Sequence, residues 1–315
     1  MITPVIAANS PVMPADQWIQ LPQERVINEI CKPLQFKHTI RQSLGSGCEF
    51  AELQNCTLSS SMPGPLHNLS ELTGQVLDFA LSIYRQQGSD RDAYISSISD
   101  FMKLRGLNDR RTARSQIHAF IECMYHLTIC RKGQNGIESE FRVISEKTKL
   151  NSHGDMAIYF TPRFKALLKT AVPMPYHTSI LKINTKQRPG AYSVARKMLE
   201  RLHICRASEE CLSVQSLLRC MGIDPNHKTI RSNFKARVRS RLESTLNSLK
   251  DVVSWKYCHY KRFPLSKPIN EIGNLEFLTL YVVFKSKNPN ASSKKTKDVL
   301  LTSEPPAVDG ARVSC

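Results

Sequence analysis

The stretch DFMKLRGLND at residues 100–109 has a counterpart in SLLRCMGIDP at residues 216–225. Each contains apolar residues, then a glycine, then Leu or Ile, then Asn or Asp, and the two glycines, Gly106 and Gly222, are 116 residues apart. A glycine in the left-handed conformation can end a helix, the apolar residue can fill the corner, and the polar residue can cap the next helix. The repeat predicts two helix-turn-helix units, although one copy alone is equally compatible with an ordinary αα-hairpin.

The residues around each corner predict the same element order, three helices followed by a β-hairpin. In the first half we expect helices over 72–85, 92–104 and 108–125 and strands over 127–131 and 137–144. In the second half we expect a strand over 177–184, helices over 189–203, 213–221 and 226–250, and strands over 252–260 and 275–285. A hairpin behind a helix-turn-helix indicates a winged helix.

The predicted fold class is therefore mainly helical α+β, with two tandem winged-helix domains and flexible N- and C-terminal tails. The segment AVPMPYH at residues 171–177 breaks the helical pattern and marks the domain boundary. The predicted parts are a flexible arm over 1–65, winged helix 1 over 66–172, winged helix 2 over 173–285 as the main DNA-binding domain, and a disordered tail over 286–315.

The third helix of the second half combines an apolar stripe with uncompensated positive charge. Its sequence is NHKTIRSNFKARVRSRLESTLNSLK at residues 226–250, and residues 228–241 contain six basic residues and no acid. The apolar stripe is Ile230, Phe234, Val238, Leu242, Leu246 and Leu249. Because the whole chain carries a formal charge of +17, we expect a polyanionic partner, which could be DNA, RNA or an anionic membrane surface. A solvated helix face remains the alternative.

A basic helix after a corner favours insertion into the DNA major groove, with its first residues at base edges. Thr229, Ser232 and Asn233 suit base edges or phosphates, and Arg231 suits guanine. The other candidate contacts to DNA are basic residues on the third helices, before the second domain and on its wing. They are Arg110, Arg111, Arg114, Lys186, Arg188, Lys228, Lys235, Arg239, Lys256, Lys261 and Arg262, with Arg105 and Lys182 beside them.

The sequence contains no pattern typical of an enzyme or of a cofactor site. It has no phosphate-binding GxxxxGK[ST] loop, and Tyr159, Tyr192 and Tyr257 lack the His-x-His partner of a nicking enzyme. Ten cysteines without a CxxC pair indicate reduced thiols in a cytoplasmic protein, and we interpret Cys123 and Cys130 as packing residues rather than metal ligands. No apolar run approaches the length of a membrane span, and the N-terminus is a poor signal peptide. We expect a protein that is not an enzyme and needs no cofactor or metal.

Three segments of the second half carry a resemblance to a known family: PGAYSVARKMLE at 189–200, LSVQSLL at 212–218 and LNSLKDVVSWKYC at 246–258. Together with the basic third helix, they resemble theta-type plasmid replication initiators (Rep proteins) with paired winged helices. The resemblance covers 176–285, is looser over 70–170, and does not include the first 65 residues.

The resemblance implies binding to repeated double-stranded sites (iterons) at a plasmid origin, opening of that origin, and recruitment of the host initiator and replicative helicase. It also implies repression of the protein's own promoter as a homodimer, and hence a part in copy control. A winged-helix transcriptional regulator without an initiation role, a DNA-nicking enzyme and an RNA-binding protein remain alternatives.

Overall fold

The computed structural model describes residues 17–32, 40–42, 48–53, 56–132, 138–148, 155–225 and 233–288. The chain is a mixed α+β protein in which helices pack against several small antiparallel sheets. One hydrophobic core extends through both halves of the chain. Within the described ranges, no helix is both long and apolar enough to cross a bilayer.

The first half is organised around one long central helix. α3 (Glu71–Gln87) begins with a capping box formed by Ser70 and Thr73, ends at Gly88, and is buried over most of its length. The short helix α2 (Pro65–Asn68) precedes it. The elements that follow are β5 (Tyr94–Ser97), α4 (Ile98–Arg105), α5 (Arg110–His126), β6 (Leu127–Lys132), β7 (Glu138–Arg142), β8 (Asp155–Ile158) and α6 (Pro162–Thr170). The predicted helix over 92–104 is too long, because residues 94–97 pair with β8 and Ser97 caps α4 by accepting from the amide of Asp100.

The hairpin of the first half is formed, but it belongs to a larger sheet. β6 and β7 pair with each other, and β6 also pairs along five residues with β4 (Cys56–Ser60). The sheet continues through β3 (Glu49–Glu52) to β2 (Ile40–Gln42). The hairpin therefore differs from the predicted isolated wing, because segments before residue 65 supply its neighbouring strands.

The N-terminal segment is integrated into the fold. β1 (Trp18–Gln23) pairs antiparallel with β9 (Val172–His177), and α1 (Arg25–Ile30) buries Val26, Ile27 and Ile30 completely. The prediction of a flexible arm over 1–65 is therefore wrong for the described residues of that range, whose apolar side chains complete the core. Residues 1–16, and residues 289–315 of the predicted tail, lie outside the described residues.

The predicted domain boundary at 171–177 is the strand β9, which ties β1 to the second half. The predicted strand over 177–184 is wrong, because the chain turns into a 3₁₀ helix over Thr178–Lys182. His177 starts this turn, since its ring nitrogen Nδ1 accepts from the amide of Ser179. The segment between the two halves is thus packed structure up to residue 182.

The second half has the element and strand order that a winged helix requires. Its elements are α7 (Ala191–Ile204), β10 (Glu209–Ser213), α8 (Val214–Cys220), a π-helical segment (Lys235–Arg239) that continues into α9 (Ser240–Asn247), β11 (Val253–Cys258), α10 (Asn274–Thr279) and β12 (Tyr281–Ser286). The three strands form one antiparallel sheet in the order β10-β12-β11. Two local predictions differ: the sequence does not predict β10, and the last strand begins at Tyr281 because α10 occupies residues 275–279.

A buried polar network joins the two halves where α3 packs against α7. The Arg196 guanidinium donates to Asp78 Oδ1 at 2.5 Å and to Asn28 Oδ1 at 2.9 Å, and the Tyr192 hydroxyl donates to Asp78 Oδ2 at 2.8 Å. Burial alone would lower the pKa of Arg196, but the adjacent Asp78 carboxylate outweighs it and holds that pKa well above its ordinary value. The network brings residues from α1, α3 and α7 into one contact.

Candidate nucleic-acid interface

The two predicted corners have the same backbone geometry. Gly106 and Gly222 both adopt the left-handed conformation, with φ of 63° and 66°. In each corner the amide that follows the glycine donates to the carbonyl five residues earlier, at 2.9 Å. This is the hydrogen-bond pattern of the Schellman motif, which ends a helix and redirects the chain. The repeat found in the sequence is therefore a repeat of structure.

The first corner presents three arginines at the start of α5. Asp109 caps this helix, because its carboxylate accepts from the amides of Arg111 and Thr112. The carboxylate also accepts from the Thr112 hydroxyl, and this bond, followed by the two amide bonds, lowers the pKa of Asp109. Arg110, Arg111 and Arg114 are exposed on the first turns of the helix. The cap therefore fixes the beginning of a helix whose first turns are strongly basic.

Arg105, which the sequence placed beside these arginines, has a structural role. Its side chain is buried and its guanidinium donates to the carbonyl oxygen of Leu181. Burial lowers the pKa of Arg105 to about 10. Arg105 thus attaches the end of α4 to the segment that leads into the second half, and it is not available to DNA.

The segment between the two corners is basic and contacts both of them. At its first end, Lys182 lies beside Gly106 of the first corner: a Cβ built on Gly106 would be 4.0 Å from Lys182 Cγ. At its other end, Gly190 packs against Met221 of the second corner: a Cβ built on Gly190 would be 2.7 Å from Met221 Cβ. Because Gly190 is only eight positions after Lys182, these two ends are no more than about 29 Å apart even in a fully extended chain. The two corners therefore lie close to the two ends of one short segment.

Lys182, Lys186 and Arg188 are exposed on this segment. A side-chain turn shapes it, in which Asn184 Oδ1 accepts from the amides of Lys186 and Gln187. We call residues 182–190 the basic linker. Candidate residues from the first corner and from the basic linker thus form neighbouring parts of one surface.

The third helix of the second half is described only from residue 233 onward. Lys228, Thr229, Arg231 and Ser232 lie outside the described residues, so their predicted contacts stay predictions. Asn233 and Lys235 are exposed, as a DNA contact requires. The described part of the apolar stripe, from Phe234 to Leu249, is buried as predicted.

The prediction that Arg239 contacts phosphate is wrong. Arg239 is only 7% exposed, it donates to the carbonyl oxygens of Ile269 and Ile272, and it stacks 4.7 Å from the centre of the Phe277 ring. Arg239 is the last residue of the π-helical segment Lys235–Arg239, whose turn is wider than that of an α-helix, so its side chain departs from the position that a period of 3.6 predicts. Arg239 therefore holds the loop before α10 and is not on the exposed strip.

The wing of the second half contains one exposed lysine on a strand and two basic residues in a strained turn. Lys256 is exposed on β11. Lys261 and Arg262 have positive φ values of 55° and 65°, which are uncommon for residues with side chains. Arg262 pairs with Glu209 and Glu210 of β10 at 3.3 and 3.8 Å. These carboxylates offset its charge, which makes Arg262 a weaker candidate for DNA than Lys256 or Lys261.

Two sets of residues near the interface were not predicted. Tyr260 and Phe263 are 64% and 63% exposed beside the strained turn, and nothing in their local sequence distinguishes them from core residues. The buried partners of Arg196 also escaped prediction, because Asp78 shares its helix face with the polar residues Gln75 and Ser82 and gives no local sign of burial. Arg196 lies in the segment 189–200 that carries the family resemblance. Because it bonds to Asp78 and Asn28, this segment contributes to the packing between the two halves.

Two of the three tyrosines considered as nicking nucleophiles have buried hydroxyls. Tyr192 is fully buried, and burial followed by the Asp78 carboxylate raises its pKa well above the ordinary value. The hydroxyl of Tyr257 is also buried, without a hydrogen-bond partner among the described residues. Neither hydroxyl faces solvent, which a nucleophile acting on DNA requires.

Comparison with known proteins finds similarity only among solved structures. No known protein family and no curated protein matches this chain. A crystal structure of domains 2 and 3 of RctB is similar with a TM-score of 0.44 and 14% identity, over 82% of this chain and 96% of that one. A selenomethionine derivative of the same two domains gives a TM-score of 0.41 and 15% identity, over 81% and 98%. TM-scores and identities this low assign no role to individual residues, so the candidate interface rests on the residues of this chain alone.

Proposed function

We propose that this chain is a non-catalytic replication initiator that binds repeated double-stranded DNA sites at an origin through both helix-turn-helix units. The observation that carries the proposal is the basic linker, which contacts the first corner at one end and the second corner at the other. Because the linker turns at Asn184, its two ends lie closer together than this limit of about 29 Å and hence within one turn of B-DNA, about 34 Å. At such a distance both units can reach one DNA site from the same side of the duplex.

In this proposal the residues have distinct roles. Arg110, Arg111 and Arg114 contact phosphates from the first unit, while Lys186 and Arg188 contact the backbone between the grooves. The second unit is the main reader, through Lys228, Thr229, Arg231, Ser232, Asn233 and Lys235, with Lys256 and Lys261 on the flanking backbone. Phosphate contacts give affinity and register, and base contacts give specificity. The family resemblance adds the plasmid setting and three partners, which are the host initiator, the replicative helicase and a second copy of the chain. The cytoplasmic location rests on the unpaired pattern of the cysteines.

Hydroxyl-radical footprinting tests whether both units bind one site. The DNA that flanks the coding sequence is searched for direct repeats and used as the probe. We expect two protected backbone clusters about one helical turn apart. The triple change Arg110→Ala, Arg111→Ala and Arg114→Ala should remove one cluster and leave the other. Lys169→Ala is the control, because Lys169 is exposed and pairs with Asp90 at 2.8 Å. Loss of both clusters, or of neither, would refute the two-unit arrangement.

A second test separates base reading from phosphate binding. Arg231→Ala should weaken specific binding more than nonspecific binding. Lys235→Ala should weaken both to a similar degree and lower the salt slope by about one unit. If the two changes act equally on all sequences, Arg231 does not read bases.

The initiator and regulator readings differ in the DNA that they require. Binding to an array of direct repeats next to an AT-rich stretch, followed by opening of that stretch in a supercoiled plasmid, supports an initiator. Binding only to a single inverted repeat over the protein's own promoter supports a regulator. Metal-dependent nicking of the same plasmid, lost on changing Tyr159 to Phe, would show that the protein is an enzyme after all.

A further inference from the structure

A cleft of about 820 Å³ lies between the N-terminal segment and the second half, away from the helix-turn-helix corners. β1 and α1 form one wall, and the end of α7 with the residues after it forms the other. Val172 and Ile204 line it with 59% and 63% of their surface exposed. Trp18 and Leu202 add further apolar surface. Large exposed aliphatic side chains in a concave site indicate that something covers them.

The charged residues of the cleft leave a positive rim. Glu24 pairs with Arg131 at 3.6 Å and Glu200 pairs with Lys32 at 2.6 Å. Arg25 and Arg206 also line the cleft, and neither forms an ion pair within the described part of the chain. An apolar segment flanked by acids therefore matches this cleft in both shape and charge.

The chain itself supplies such a segment. Ser286 and Asn288 line the cleft, and Asn288 is the last described residue and only 8% exposed. Twenty-seven residues follow it, and Val299-Leu300-Leu301 is their only run of three aliphatic residues. Asp298 and Glu304 lie on either side of this run, and Lys294, Lys295 and Lys297 precede Asp298, so the apolar run carries most of the match to the cleft.

The tail is also long enough, and close enough, to bind. Eleven residues separate Asn288 from Val299. An unconstrained chain of that length has a root-mean-square span of about 18 Å and a maximum of about 40 Å. Because the tail leaves from the wall of the cleft, its effective concentration there is on the order of millimolar. A weak apolar contact is sufficient under these conditions.

We propose that the cleft is the docking site for the protein's own C-terminal tail, with Val299-Leu300-Leu301 against Trp18, Val172 and Ile204. Asp298 and Glu304 lie towards Arg25 and Arg206. The tail then connects the second half, from which it leaves, to β1 and α1 of the N-terminal segment. This proposal is independent of DNA binding.

Tryptophan fluorescence tests the proposal directly. The chain has two tryptophans, Trp18 in the cleft and Trp255 in β11, so Trp255→Phe leaves Trp18 as the only reporter. The full chain is compared with a chain that ends at Asn288. We expect the shortened chain to show red-shifted emission and stronger quenching by acrylamide. Leu300→Asp in the full chain should have the same effect, whereas the matched control Val308→Asp should not.

Hydrogen exchange on the chain with its natural tryptophans provides the second measurement. Amides of residues 199–208 should exchange faster after removal of residues 289–315, and a synthetic peptide of residues 295–306 should slow them again in a saturable manner. Equal emission and equal exchange in the full and shortened chains would overturn the proposal. Protection that rises with protein concentration would also overturn it, because the occupant would then be a second copy of the chain.

Discussion

Replacing one member of the Arg196–Asp78 pair should destabilise the protein far more than replacing both. Both side chains are at most 1% exposed, so Arg196→Met leaves the Asp78 carboxylate in the core without its counter-ion. Breaking a buried pair in this way costs about 3–5 kcal/mol. For a chain of 315 residues, that corresponds to a fall in Tm of roughly 5–8 °C. Asp78→Leu should have a similar effect, since the buried Arg196 guanidinium and the Tyr192 hydroxyl would both lose their acceptor.

The double change Arg196→Met with Asp78→Leu removes both charges and restores apolar contact between α3 and α7. Its stability should therefore exceed that of either single variant. Urea unfolding followed by far-UV circular dichroism gives the three differences in free energy and hence the coupling energy. Lys169→Ala is the control, because it breaks an exposed pair and should leave the unfolding curve unchanged. The reasoning is refuted if a single variant loses less than about 1 kcal/mol, or if the double variant loses the sum of both single losses.

Three further outcomes can be measured with the same curves. Arg239→Met should cost about 2–4 kcal/mol, because two buried carbonyl groups lose a charged donor, whereas Lys235→Met should leave the unfolding curve unchanged and affect only DNA binding. Gly190→Ala should destabilise more than Gly88→Ala, although φ is near 90° at both, because only the Cβ at 190 meets atoms closer than 3 Å. Burial raises the pKa of Glu200, but its ion-pair lysine outweighs burial and the net pKa is below 4.5. The stability that this carboxylate contributes is present above pH 4.5 and is lost as the pH falls through its lowered pKa, so the difference between Glu200→Gln and the natural chain should be full at pH 7 and shrink steadily below pH 4.5.

The predictions that hold best are those that depend on a few neighbouring residues. The capped start of α5 and the helix ends at Gly106 and Gly222 follow from local hydrogen bonds and backbone preferences. The buried stripe from Phe234 to Leu249 follows from helical spacing. The strands β1 and β10 were not expected, because short strands acquire their stability from the strands with which they pair.

The sequence by itself determined where the chain turns: the corners at Gly106 and Gly222 need only a glycine, the helix before it and the residue after it. It also determined the excess of positive charge. Only the tertiary structure decided which cations remain exposed. Arg105 and Arg239 are buried because their guanidinium groups donate to carbonyl oxygens 30 or more residues away in the chain. It likewise decided that residues 17–32 complete the core, since their partners β9 and α7 lie more than a hundred residues further along. Local conformation is set by neighbours in sequence, whereas burial is set by neighbours in space.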